Sequence, residues 1–233
     1  MSGFGEQYKP KKKINNNSNF SKEQLINQAF KFHSEGKISE AIKCYQHFIN
    51  QGFEDQRLFY NYGVLLNSLG KLQEAESLYR KAISINPNFA EAYYNLGLIL
   101  KDLRKLQEAE SSYRKAIEVK PNFSQAHYNL GIILKDLGNL KEAELSTRKA
   151  IELNPNYAEA HLNLGSILKD LGNSKEAELS TRKAIELNPK YTNAHYQLGD
   201  ILLNEGKHTE GIKHLKEGTG FIEFNLINGL SIN

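Results

Sequence analysis

The sequence predicts an all-α fold, an α-solenoid built from about six helix-turn-helix repeats of 34 residues. Three residue types recur at this interval. Four of the five prolines do so, at Pro87, Pro121, Pro155 and Pro189. Glycines follow the same interval at Gly63, Gly97, Gly131, Gly165 and Gly199, and alanines at Ala75, Ala109, Ala143 and Ala177. Self-similarity at a fixed period is the signature of stacked supersecondary units. Such a stack makes a long surface rather than a closed pocket.

Residues 90–123 illustrate why each repeat is predicted to form two antiparallel helices. In the first half, the spacing i, i+3, i+4 and i+7 marks one face of a helix. The residues with this spacing are Tyr93, Leu96, Gly97 and Leu100. After a polar turn, a second apolar face begins at Ala109. Pro121 ends this second helix because proline lacks the amide hydrogen that a helix needs. Gly97 and the alanines of the second helix are predicted to let the two helices approach closely, where larger side chains would overpack the contact.

The order of these residues resembles the tetratricopeptide repeat, with an aromatic residue, Leu-Gly, Ala, another aromatic residue and a closing Pro. The predicted repeats are 22–55, 56–89, 90–123, 124–157, 158–191 and 192–225. The first lacks the closing proline, and the last replaces the alanines of its second helix by Gly211 and Gly218. Terminal repeats are expected to be atypical because they cap the stack.

Two departures from the repeat have physical consequences. The turn between the helices carries glycine in five repeats, at Gly36, Gly70, Gly138, Gly172 and Gly206. Arg104 takes this place in one repeat, so we expect either local backbone strain or a different turn there. In the core of the second helix, Tyr79 and Tyr113 give way to Thr147 and Thr181. We expect looser packing in these later repeats, with each threonine hydroxyl bonded back to its own helix.

The two ends of the chain differ from the repeats. Residues 1–21 are rich in Asn and contain four lysines against Glu6, which predicts a disordered basic leader. Residues 221–233 are predicted to form a short extended cap that overlaps the last repeat, because two short apolar runs flank a turn. This segment either covers the open end of the last repeat, pairs with a second copy, or begins a further domain that the chain lacks.

Composition limits the function. Outside the leader the chain has 26 basic and 26 acidic residues, and a neutral solenoid is a poor binder of nucleic acid. Cys44 is the one cysteine, which excludes an internal disulfide and fits a reducing compartment. No apolar run is long enough to span a bilayer. The sequence predicts a cytoplasmic protein that binds no cofactor.

The resemblance implies that the first helices line the concave side of the stack. The sixth residue of every repeat is an amide, and these residues are Asn27, Asn61, Asn95, Asn129, Asn163 and Gln197. Since an amide offers donors and an acceptor, the ladder predicts a groove that binds the backbone of an extended peptide. Similar asparagine ladders line the repeats of O-linked N-acetylglucosamine transferases. The alternative is that each amide bonds within its own helix or to the neighbouring repeat.

Two further rows accompany the amides. The fifth residues Tyr60, Tyr94 and Tyr128 either offer contact area to a ligand or brace adjacent helices. Repeated charge pairs either orient a polar ligand or neutralise each other, at Lys101, Asp102, Lys135, Asp136, Lys169 and Asp170. The repeats 124–157 and 158–191 share 28 of 34 residues, and three of their six differences fall on this stripe. This pattern is expected if the groove diverged while the packing was kept.

No catalytic or metal site is predicted. His127, His161 and His195 recur in register at the aromatic core site of the first helix. Successive repeats are offset by about 8–10 Å, whereas zinc ligands lie about 2 Å from one ion. His208 and His214 have no cysteine or carboxylate cluster to help them.

The sequence therefore predicts a non-catalytic scaffold or adaptor that holds an extended peptide or a helix of a partner protein in its groove. The alternative is the substrate-recruiting arm of a glycosyltransferase-like or other modifying enzyme whose catalytic domain is separate or missing. A third hypothesis is self-association through the C-terminal end.

Overall fold

The fold is a series of helix pairs. In this computed structural model the described residues are 21–219, 222–225 and 229–232. The first helices of the pairs are α1 (Lys22–Ser34), α3 (Gln56–Ser68), α5 (Ala90–Asp102), α7 (Ser124–Asp136), α9 (Ala158–Asp170) and α11 (Thr192–Asn204). The second helices are α2 (Ile38–Asn50), α4 (Leu72–Ile85), α6 (Leu106–Val119), α8 (Leu140–Leu153), α10 (Ser174–Leu187) and α12 (His208–Thr219). The predicted all-α solenoid of about six repeats is confirmed. None of these helices is long and apolar enough to cross a membrane.

The chain divides into two compact bodies, Met1–Glu54 and Asp55–Asn233. In the first body, α1 packs against α2. Ser21 begins α1 with a capping box, in which its side chain accepts from the amide of Gln24 and the Gln24 side chain accepts from the amide of Ser21. The hydroxyl of the buried Tyr45 lies 3.0 Å from Nδ1 of His33.

In the second body, each first helix packs against its own second helix, which packs against the first helix of the next pair. The core includes two rows whose members are all at most 2% exposed. They are Leu66, Leu100, Leu134, Leu168 and Leu202 on the first helices, and Ala75, Ala109, Ala143 and Ala177 on the second helices. The small alanines set a close helix-helix distance, so the core is continuous along this body.

Gly97 shows how close this contact is. A Cβ atom there would lie 2.6 Å from Cε1 of Tyr113 on the facing helix, which is closer than side chains can pack. In the later repeats threonine replaces this tyrosine. The hydroxyl of Thr181 donates to the carbonyl of Ala177 at 2.8 Å, as the sequence predicts.

The turn between the helices ends each first helix with a left-handed residue. Gly138 has φ of 82°, and the amide of Asn139 donates to the carbonyl of Leu134 at 2.8 Å. Arg104 has φ of 61° and keeps the same turn, since the amide of Lys105 donates to the carbonyl of Leu100 at 2.8 Å. Of the two expectations at Arg104, backbone strain is therefore confirmed, and a different turn is wrong.

A charge network joins successive second helices. Arg80 contacts Glu76 one turn before it and Glu108 in the following repeat. The same pattern of one glutamate four residues before and one 28 residues after recurs in every following repeat but the last, at Arg114, Arg148 and Arg182. Single exposed pairs contribute little, but this network recurs in one register, so it favours one spacing of the second helices.

Two short strands follow α12. Strand β1 (Ile222–Asn225) pairs antiparallel with β2 (Gly229–Ile232), with Phe224 opposite Leu230. The predicted extended segment is thus present as a hairpin. The leader up to residue 20 lies outside the described residues, and so do the turn of the hairpin and its predicted cover over the last repeat.

Candidate interaction surface

The candidate site is the first-helix face, formed by the fifth, sixth, ninth and twelfth residues of each repeat from 56 to 204. In α7 these residues are Tyr128, Asn129, Ile132 and Lys135. All are half-buried except Asn129, which is only 6% exposed. The face is therefore a continuous row of side chains that pack on one side and meet solvent on the other.

The amides of this face join neighbouring repeats. Nδ2 of Asn95 donates to the hydroxyl of Tyr60 at 3.0 Å. Nδ2 of Asn129 lies 3.3 Å from the hydroxyl of Tyr94 and donates to the carbonyl of Gln125 at 2.9 Å. Each bond to a tyrosine connects a repeat to the one before it. The alternative that each amide bonds to the neighbouring repeat or within its own helix is present here, so these amides stabilise the joint between repeats.

The later amides use a different partner. Nδ2 of Asn163 donates to Oγ1 of Thr147 at 3.2 Å, and Nε2 of Gln197 donates to Oγ1 of Thr181 at 2.9 Å. Thus the change from tyrosine to threonine in the second helix gives the next amide a new acceptor. Asn61 bonds within its own helix, to the carbonyl of Arg57 at 2.7 Å. In the separate first body, Asn27 is exposed.

The tyrosine row is half-buried and also braces the repeats. The ring centroid of Tyr60 lies 4.8 Å from that of Phe89, that of Tyr94 lies 4.9 Å from Phe123, and that of Tyr128 lies 4.8 Å from Tyr157. Burial is the main cause that raises the pKa of Tyr128 to about 12, so its hydroxyl is a neutral donor at physiological pH. These tyrosines therefore brace adjacent helices, as the alternative interpretation predicts. Each ring also keeps part of its surface in solvent.

The lysine-aspartate row connects repeats rather than adjacent residues. Nζ of Lys135 contacts Oγ of Ser166 and lies 3.4 Å from Oδ2 of Asp170. Nζ of Lys169 lies 2.9 Å from Oδ2 of Asp200. The other three members are the half-buried Lys101 and the exposed Asp102 and Asp136.

Sequence reasoning did not assign a ligand to the ninth residues, which are Val64, Leu98, Ile132, Ser166 and Asp200. They are half-buried and lie one turn beyond the tyrosine row. The sequence does distinguish this row, because its residues change from apolar to polar along the chain. The face therefore has an apolar part in the second to fourth repeats and a polar part in the last two.

A second group was judged wrongly from sequence. His195 and His214 lie together with Glu217 in the last repeat. The expectation that His214 has no carboxylate to help it is therefore incorrect. These three residues lie on the buried side of α11 and on α12, away from the amide row.

Stacked helix pairs with a continuous, partly apolar face define a protein-interaction scaffold of helical repeats. Models of the tetratricopeptide repeat match residues 63–104, 90–123, 124–157, 158–191 and 181–213. Together these matches cover well over half of the chain. The protein therefore belongs to the tetratricopeptide repeat family.

Solved structures share the fold. YrrB, described as a TPR protein with an unusual peptide-binding site, is 26% identical, with a TM-score of 0.65 over 76% of this chain and 91% of its own. MamA is 25% identical, with a TM-score of 0.64 over 67% of this chain and 91% of its own. A tetratricopeptide repeat protein from Parabacteroides merdae is 23% identical, with a TM-score of 0.72 over 84% and 78%. The search of curated proteins gave no match. The resemblance to transferase repeats stays a prediction.

Proposed function

We propose that this protein is an adaptor that binds an extended segment of a partner protein along the first-helix face. The observation that carries the proposal is the ninth-residue row. Val64, Leu98 and Ile132 keep part of their apolar surface in solvent, although their neighbours along the helices are buried. Apolar side chains in a line on a surface are typical of interaction sites.

The face favours a ligand with a particular pattern. Successive repeats are separated by about 8–10 Å, and an extended peptide rises about 3.3 Å per residue, so about three ligand residues correspond to one repeat. Apolar ligand side chains at this interval would contact the second to fourth repeats. A polar or basic portion would contact Ser166 and Asp200. The hydrogen bond of the half-buried Asn95 to Tyr60 uses the amide nitrogen, so its side-chain oxygen can serve as an acceptor for the ligand backbone.

Two further findings support this function. YrrB, which has the same fold, is described as having a peptide-binding site. In addition, two nearly identical repeats differ at the fifth and ninth residues, where Tyr128 and Ile132 correspond to Leu162 and Ser166. Substitution at these residues changes the face without changing the core. The comparisons give no observation that favours the alternative of a substrate-recruiting arm.

The test is selection of peptides on the intact chain, followed by affinity measurement on two matched variants. The first variant is Leu98→Ser with Ile132→Ser, which introduces the residue that Ser166 already provides at the same site. The control is Leu145→Ser with Leu179→Ser. These leucines are 68% and 67% exposed on second helices, at the site where an earlier repeat has Ser111.

We expect the selected peptides to bind the control like the unaltered chain and to bind the first variant at least about tenfold more weakly, since burial of each apolar side chain contributes on the order of 1 kcal/mol or more. Circular dichroism melts of both variants check that folding is unchanged. Equal binding to both variants, or loss of binding only in the control, would exclude the first-helix face as the site.

A further inference from the structure

The last repeat contains a compact group of three side chains with metal-ligating atoms. Nδ1 of His195 on α11 lies 3.0 Å from Nδ1 of His214 on α12. Oε2 of Glu217, also on α12, lies 2.9 Å from the His195 nitrogen and 3.2 Å from the His214 nitrogen. His195 is 7% exposed, while the side chain of Glu217 is 41% exposed. The three atoms therefore form a small triangle with one side open to solvent.

A hydrogen bond to the backbone occupies one ring nitrogen of His195. Its Nε2 lies 3.0 Å from the carbonyl oxygen of Pro189. A carbonyl only accepts, so Nε2 carries a proton, and Nδ1 is the ring nitrogen that remains to bind another group. Nδ1 faces a carboxylate oxygen and a second imidazole nitrogen. Three atoms that can each donate an electron pair to a cation therefore converge on one point.

The preceding repeats provide a natural comparison. His127 and His161 make the same bond from Nε2 to a proline carbonyl, at 2.9 and 3.0 Å. The bond to proline is therefore part of the repeat. However, the residues that correspond to His214 and Glu217 are Ser180 and Lys183 in the repeat before. The additional histidine and carboxylate occur in the last repeat alone among these three, so packing of the repeat does not account for them.

Gly218 allows the two helices to bring this group together. A Cβ atom there would lie 2.6 Å from the backbone nitrogen of Tyr196 and 2.8 Å from the carbonyl oxygen of Thr192. The preceding repeat has Ala184 at this site. The loss of one methyl group therefore lets the last turn of α12 approach the first turns of α11, beside the imidazole of His195.

We propose that His195, His214 and Glu217 form a binding site for one divalent transition-metal ion of the zinc type. Tetrahedral ligands at bonds of about 2.0–2.2 Å lie about 3.3–3.6 Å apart, slightly more than the three edges here. An ion about 1 Å above the plane of the triangle lies about 2 Å from all three atoms. Two imidazoles and a carboxylate suit zinc, nickel or cobalt rather than calcium or magnesium, which prefer oxygen ligands. Water would complete the coordination on the exposed side of Glu217.

The bond from Nε2 to Pro189 provides the second shell of this site. Metal-bound histidines commonly donate their other ring proton to a carbonyl, which fixes the orientation of the ring. An ion bound here would link α11 to α12 in the repeat next to the C-terminal hairpin. This site is independent of the first-helix face.

The test is calorimetric titration of the tag-free, chelator-treated chain with Zn²⁺. A parallel titration with Co²⁺ follows the visible absorption that reports tetrahedral coordination. The variants are His214→Ser and Glu217→Lys, which introduce the residues of the preceding repeat. The control is His208→Ser, which removes an exposed histidine from the same helix and also matches the preceding repeat, where Ser174 occupies this site.

We expect one ion per chain for the unaltered protein and for the control. Both ligand variants should bind at least about tenfold more weakly, since even indirect changes around a metal cost about 10–100-fold in affinity. Zn²⁺ should raise the melting temperature of the unaltered chain and not that of His214→Ser. The proposal is overturned by absence of saturable binding and of a cobalt spectrum in the unaltered chain, or by equal affinity in His214→Ser.

Discussion

Replacement of Tyr113 by phenylalanine should stabilise the protein. Tyr113 is 0% exposed, and its hydroxyl has no hydrogen-bond partner among the described residues. A buried polar group without a partner costs about 1–3 kcal/mol. Phenylalanine keeps the ring that packs against Gly97 and removes only this oxygen. The small cavity left by the oxygen offsets part of this stabilisation. We therefore expect the free energy of unfolding to rise by about 1 kcal/mol.

Tyr45→Phe is the matched control. Tyr45 occupies the same site of the first repeat and is equally buried, but its hydroxyl lies 3.0 Å from Nδ1 of His33. Loss of this bond should lower the free energy of unfolding by about 1 kcal/mol. The two substitutions remove the same atom and are expected to have opposite signs.

Thermal and urea unfolding measure both effects. For a chain of this size, 1 kcal/mol corresponds to about 2–4 °C in melting temperature. Burial is also the main cause that raises the pKa of Tyr113 far above its ordinary value. The neutral phenol is thus favoured in the folded state, and stability is lost as pH rises above about 10, where the unfolded chain ionises. Tyr113→Phe should reduce this alkaline loss. A variant that is less stable at pH 7 would mean that the hydroxyl has a partner and would refute the reasoning.

Three further changes test other parts of the fold. Arg104→Gly should stabilise by about 1 kcal/mol in urea unfolding, because φ of 61° is unfavourable for a side chain, whereas Lys105→Gly, at φ of −89°, should destabilise. Asn129→Ala should lower the free energy of unfolding by about 1–2 kcal/mol, since the buried amide loses its bonds to Tyr94 and Gln125, and an unchanged melt would contradict the bracing role. The hydrogen bond from Lys207, with help from Arg182 and against the effect of burial, lowers the pKa of Glu178. Its contribution is present above about pH 4.3 and lost as pH falls through the lower folded pKa. The stability difference between the unaltered chain and Glu178→Gln should therefore disappear in acid, and a difference independent of pH would argue against this ion pair.

The helices could be predicted from the sequence because the repeats share the same local residue pattern. Apolar spacing, the turn glycine and the closing proline each occur several times, so one irregular repeat does not obscure the pattern. Even the strained turn at Arg104 could be located, because one repeat departs from a rule that the others obey.

The candidate site could be predicted only in part. A residue that faces a ligand and a residue that faces the next repeat recur with the same period of 34 residues. Periodicity therefore cannot separate them, and the sequence left open whether Asn95 faces a ligand or bonds to the neighbouring repeat, as it does to Tyr60. Only the direction of the side chain around the helix axis decides this, and that direction depends on packing between repeats.

The group of His195, His214 and Glu217 was missed for the opposite reason. His195 belongs to the periodic pattern, which explained it as a core residue. His214 and Glu217 do not recur, so a search for repeated features passes over them. A comparison of each repeat with the one before would have found two new side chains, three residues apart, on one side of α12.

The arginine network also bears on how such a chain can change in length. Each of the four arginines gives one contact to its own repeat and one to the repeat that follows, as Arg148 does with Glu144 and Glu176. Insertion or loss of a whole 34-residue segment between equivalent points returns every arginine to a glutamate partner. An insertion of any other length between an arginine and the glutamate 28 residues after it changes the spacing of that pair. Duplication of a whole repeat therefore leaves no arginine of this row without a glutamate partner. The near-identity of residues 124–157 and 158–191 is what such a duplication would produce.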